Sequence, residues 1–93
     1  ASYRQAGRTN DAITIKERVV EDSERLIGVD HPDTLTARAN LAASYRQAGR
    51  TNDAITLLQE VVDRQDGVIG PDHPDAGAHR EALVGWRREA DER

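Results

Sequence analysis

Apolar residues along the chain recur every three or four positions. In TLTARANLAASYRQA, Leu35, Ala39, Ala42, Tyr45 and Ala48 mark one helical face, and Leu41 widens the stripe. Pro32 suits a first helical position, where a missing N–H costs nothing, and Asp33 complements the positive helix end. Gly49 supplies a left-handed stop. Ala54, Ile55, Leu58, Val61, Val62, Gln65 and Ile69 then keep the helical spacing, behind Thr51 or Asn52 as N-cap and ahead of Gly70-Pro71. Nothing alternates with period two. The spacing predicts five helical segments: a stub over 1–6 and helices over 10–27, 33–48, 52–69 and 75–91. Their short connections are those of antiparallel neighbours. Gly67, where the earlier long helix has Arg25, predicts fraying of the later one.

The pattern repeats. Ala1–Thr14 and Ala43–Thr56 are the same fourteen residues, and the offset of 42 persists without a gap. Val19-Val20 maps onto Val61-Val62, and Asp30-His31-Pro32-Asp33 onto Asp72-His73-Pro74-Asp75. About half the positions of 1–51 are identical to those of 43–93. A unit of this kind cannot bury its apolar face alone, and about three stacked units are usually needed. The chain is therefore read as one repeat domain, 1–93: a truncated first unit (1–32), a complete unit (33–74) and a C-terminal capping helix (75–93). It begins partway through a unit and without Met, as a piece of a longer protein would. The last segment has Gly77, Ala82, Trp86 and Arg87 where the complete unit has Leu35, Asn40, Ser44 and Tyr45, and it closes on RREADER. That polar end suits a cap. Trp86 reads as a cap residue packing on the preceding long helix, with a partner-anchoring role as the alternative.

Composition narrows the chemistry. The 93 residues hold no cysteine, which removes disulfides, thiolate nucleophiles and zinc fingers. A net charge of −4 opposes a nucleic-acid binder, and an RNA-binding helical repeat is opposed further by three aromatics, too few for a stacking platform. No apolar run approaches the ~20 residues of a membrane span, so no membrane partner is expected; a cytoplasmic location is compatible with the sequence and has no other support in it. His31 and His73 are each flanked by Asp, but each loop offers too few metal ligands, and a role in the turns fits better. No serine stands in a recognisable His/Asp arrangement, and there is no glycine-rich phosphate loop. No enzyme activity, metal or cofactor is expected.

Leu41, Tyr45, Gly49 and Ala54, followed by Leu58 and Val61, form a spaced signature whose tail recurs as Tyr3, Gly7 and Ala12. This resembles the tetratricopeptide repeat. The 42-residue period, with His-Pro-Asp opening each unit, is similar to the longer variant of kinesin light chains and many bacterial repeat proteins. The bias of twelve arginines to one lysine points the same way. The resemblance implies an all-α solenoid of antiparallel helical hairpins, wound as a right-handed superhelix, whose concave face holds a peptide or a partner's helix. Carried over, that face includes Thr36, Ala39, Asn40, Ala43, Arg46 and Gln47. Ala43 stands where chaperone-binding members carry a carboxylate-clamping asparagine, which argues against a chaperone C-terminus as ligand.

Two further expectations concern partners. Arg4, Arg46 and Arg88 fall 42 apart, followed by Gln5, Gln47 and Glu89. In a stacked array they would form a ladder of guanidiniums roughly one helix layer, about 10 Å, apart. Such a ladder suits an acidic peptide; ion pairs with adjacent helices are the alternative. Lys16 replaces the core-facing Leu58 of the later unit and can bury its stem while its charge reaches water. Helix 10–27 lacks most of its first-helix partner, so Ile13, Val20 and Ile27 are expected to be partly exposed and to support self-association into a homo-oligomer. The leading expectation is a non-catalytic protein–protein interaction scaffold; the alternative is a self-assembly module.

Overall fold

His31 and Gly49 bracket a helix that sequence delimits to within a residue. In a computed structural model, the structure describes residues 2–68, 70 and 72–92, with side chains for 10–68, 70, 72–74 and 76–92. It contains α1 (Ser2–Ile27), α2 (Pro32–Gln47), α3 (Thr51–Val68) and α4 (Pro74–Asp91), and no strand among the described residues. His31 is the N-cap of α2: its Nδ1 accepts the Asp33 backbone N–H at 3.0 Å, with Pro32 opening the first turn. At the other end Gly49 takes φ +82°. Its N–H donates to the Arg46 carbonyl (3.1 Å), and the Arg50 N–H donates to the Tyr45 carbonyl (2.8 Å). This is a Schellman closure, which only glycine enters without strain. Helix α3 restarts at once: the Ala54 N–H donates to the Arg50 carbonyl at 3.0 Å. Arg50 therefore holds the cap position expected of Thr51 or Asn52. The Thr51 side chain is buried instead.

The expected stub over 1–6 is not a separate element. It is the beginning of α1, which runs unbroken through the segment that bends at Gly49 in the second copy. Residues 2–14 thus run as one helix where their copies, 44–56, form a hairpin. In the second copy the bend lets α2 lay Leu35, Ala39 and Ala42 against α3. Continuing the helix then adds a hydrogen bond per residue without a new nucleus, against a glycine penalty of about 1 kcal/mol. The fraying expected near Gly67 concerns the end of α3, which is described as far as Val68.

Each helix packs on its chain neighbours: α1 on α2, α2 on α3, α3 on α4. The Cα trace measures 41 × 34 × 17 Å, two helix layers thick. One core cluster joins Leu35, Ala39 and Ala42 of α2, Leu58, Val61 and Val62 of α3, and Leu83 of α4, with Trp86 packed against it. A second joins Ile13 and Val20 of α1 to Leu41 of α2.

The α1–α2 and α3–α4 junctions are built on one register with different chemistry. Lys16 Nζ donates to Ser44 Oγ at 2.7 Å; the equivalent pair, Leu58 and Trp86, belongs to the apolar core. Tyr45 donates to Glu17 at 3.0 Å; its equivalent, Arg87, bonds Gln59. Arg38 pairs with Glu24 at 2.8 Å, and Arg80 with Asp66 in the same place. Geometry is held constant while polarity changes.

The two glycines of the duplicated segment should respond to alanine with opposite signs. Gly49→Ala forces a Cβ into left-handed backbone and should lower unfolding stability by about 1 kcal/mol or more. Gly7→Ala, in continuous helix, should raise it by up to about 1 kcal/mol. Urea denaturation of both variants measures the contrast, and equal signs would contradict a bent second copy and a straight first one.

Candidate interaction surface

Helix α2 is flanked by α1 and α3, so three sides of it differ in what they meet. Leu35, Ala39 and Ala42, at steps of four and three, turn into the core. Ala39 is therefore not a groove residue, contrary to expectation: its small side chain sits on the Leu35 stripe. Thr36, Asn40 and Gln47 are exposed and Ala43 is half-buried, at helical steps of four, three and four. Together they make a polar, uncharged face with two carboxamides. Arg46, beside it, reaches α4. Its Nε donates to Glu89 Oε2 at 3.0 Å, a second N–H bonds Oε1, and the guanidinium lies 5.7 Å from the Trp86 ring centroid. The hydrogen bonds to Glu89 hold the Arg46 pKa above its already high ordinary value. Of the two expectations for this arginine, the ion pair with an adjacent helix is the arrangement present. Arg88 is exposed on α4. The Arg4 and Gln5 side chains lie outside those described.

Trp86 makes two contacts within the chain. One side is packed on the α2–α3 core, and the other meets Arg46.

On α1, Ile13 and Val20 are buried under α2, so they are not the exposed residues expected there. The apolar stripe of this helix has two sides, and α2 covers the one carrying Ile13 and Val20. Ile27 is exposed, as are Ile15, Val19 and Leu26, which were not singled out. Their signal was available: Val19 maps onto the core residue Val61 through the 42-residue offset. Lys16 is half-buried, and its ammonium is held by the buried Ser44 hydroxyl.

Between α2 and α3 lies a shallow recess of about 300 Å³ lined by Leu41, Tyr45 and Leu57 with Arg50 and Asp53. Arg50 stacks on the Tyr45 ring at 4.4 Å and pairs with Asp53 at 2.9 Å. Burial, followed by the hydrogen bond to the Glu17 carboxylate, pushes the Tyr45 pKa up. Among the described residues no group of three or more His, Cys, Asp and Glu side chains converges to hold a metal. Nor, among them, is any helix long and apolar enough to cross a membrane.

Sequential antiparallel helices in two layers, with a polar face left open on the inner helix of the complete unit, define a helical-repeat protein. A family model of the tetratricopeptide repeat matches residues 1–67, and the chain belongs to that family. The family is one of non-catalytic scaffolds that generally mediate protein–protein interaction. No curated protein matches the chain.

Tyr45 gives a pH test of the α1–α2 junction. A phenol whose folded pKa lies above the ordinary value of about 10 contributes stability fully below that pH. The contribution is lost as pH rises through the folded value. In a Tyr3→Phe background, phenolate absorbance should therefore titrate above the denatured-state midpoint. Glu17→Gln should bring the midpoint back towards it. An unchanged midpoint in Glu17→Gln would remove that carboxylate as a cause.

Proposed function

We propose that the chain is a non-catalytic scaffold that holds an extended segment of a protein partner across the exposed face of α2 where it borders α4. The observation that carries this reading is the sorting of α2: its apolar residues turn inward while Thr36, Asn40, Ala43 and Gln47 share one open face. The Asn40 and Gln47 carboxamides each offer donors and an acceptor, the complement of a peptide backbone. Ala43 between them allows close approach. Arg46 is poised by Glu89 to exchange one carboxylate for another, and Arg88 adds a second cation, so an acidic segment is favoured. The complete unit, 33–74, supplies the recognising helix, and residues 75–93 close its end. A net charge of −4 and few aromatics do not favour nucleic acid.

The test is a titration of the isotopically labelled chain with a short glutamate-rich peptide and its lysine-rich counterpart. The glutamate-rich peptide should shift resonances of Asn40, Ala43, Gln47 and Arg88. Asn40→Ala, Arg46→Ala or Arg88→Ala should each weaken it by roughly threefold to tenfold. Shifts confined to other surfaces, or no preference between the peptides, would overturn the reading.

A further inference from the structure

Tyr45 follows Thr36 by about two and a half helical turns, so it lies on the side of α2 opposite the open polar face. There the recess between α2 and α3 has Leu41 and Tyr45 along one wall and Asp53, Leu57 and Glu60 along the other, with Arg50 at one end. Steps of four and three set the three α3 residues in line over about two turns, roughly 10 Å. Every one of these residues belongs to two consecutive helices or to the turn that joins them. At about 300 Å³ the space suits one long side chain better than a whole small molecule.

Charge narrows what fits. Arg50 shows the mode of binding at its own end: its guanidinium lies 4.4 Å from the Tyr45 ring centroid, and Asp53 holds it from the side at 2.9 Å. The other end offers Leu41 and Leu57 with the Glu60 carboxylate beside them. The Glu60 side chain is 56% exposed, and Arg38 approaches it only to 3.7 Å, too far for a hydrogen bond. Arg38 gives its short bond, at 2.8 Å, to Glu24. On the α1 side Glu17 accepts the Tyr45 hydroxyl and is in no ion pair among the described residues. With Arg50 matched by Asp53 and Arg38 by Glu24, Glu17 and Glu60 remain as surplus negative charge beside an apolar floor. The acidity is particular to this unit, since the repeat equivalent of Glu60 in α1 is Arg18.

We propose that the recess between α2 and α3 binds an arginine side chain of a partner protein, with its methylenes on Leu41 and Leu57 and its guanidinium forked on the two oxygens of Glu60. A carboxylate with both oxygens open to solvent favours the planar fork over the point charge of lysine. The stem covers apolar surface, and Glu17 adds attraction at longer range. This recess and the α2–α4 face lie on opposite sides of α2 and select opposite charges, so each stands or falls alone.

The probe is a blocked peptide, Ser-Gly-Arg-Gly-Ser, with counterparts carrying lysine or citrulline (the uncharged isostere of arginine) at the centre. Titrated into the methyl-labelled chain at millimolar concentration, the arginine peptide should shift the Leu41 and Leu57 methyl resonances. The citrulline peptide should bind roughly threefold to tenfold more weakly, and the lysine peptide should fall between the two. Glu60→Gln should weaken the arginine peptide by the same factor while circular dichroism stays helical. Glu81→Gln, an exposed carboxylate on α4, should leave it unchanged. Equal binding of the arginine and citrulline peptides, shifts that survive Glu60→Gln, or no methyl shift at millimolar peptide would overturn the proposal. So would a dimer, seen by sedimentation, that the arginine peptide dissociates, since the arginine would then come from a second copy.

Discussion

The packing around Leu58 is the contact on which the rest of the molecule depends. It lies almost fully buried in the cluster where α2, α3 and α4 meet, with Leu35, Ala39 and Ala42 on one side and Leu83 and Trp86 on the other. Truncating a side chain so enclosed costs about 2–5 kcal/mol, a large share of the stability of a small domain. The antiparallel course follows from it, because α2 reaches Leu58 only if the chain doubles back within a few residues. Gly49 makes that turn possible, and Arg50 starts the next helix without delay. The polar face of α2 is what remains once its other sides are committed to neighbours.

Much of this was legible in the residues. Helical spacing located α2, α3 and α4 to within a residue or so at each described end, and Pro32 and Gly49 marked the limits of α2 for reasons of backbone chemistry alone. What was not legible was which side of an apolar stripe a neighbour would cover. Ile13 and Val20 look as available as Val19 when α1 is read by itself; only the position of α2 separates them. Ala39 is ambiguous for a different reason, since alanine suits a tight core and an open groove equally well. On the candidate surface, the exposure of Thr36, Asn40 and Gln47 followed from period, whereas the Arg46–Glu89 pair required knowing how α2 and α4 lie together.

The two junctions show what a duplicated geometry leaves free. Lys16 with Ser44 and Leu58 with Trp86 occupy the same places, one pair hydrogen-bonded and the other packed. Spacing within the repeat is thus a constraint on shape, and polarity at each junction is a separate choice that distinguishes one inter-unit contact from the next.

Residues 2–14 and their copies, 44–56, take two shapes, and neither shape is written in them alone. Viewed mechanically, the bend at Gly49 is a joint whose glycine supplies freedom and whose stiffness comes from the helices it brings together. Straightened, α2 and α3 would form a single rod of about 55 Å. The first copy demonstrates that the same letters tolerate that extension. A load drawn along the chain would therefore be resisted at Leu58, two turns away from the place that moves.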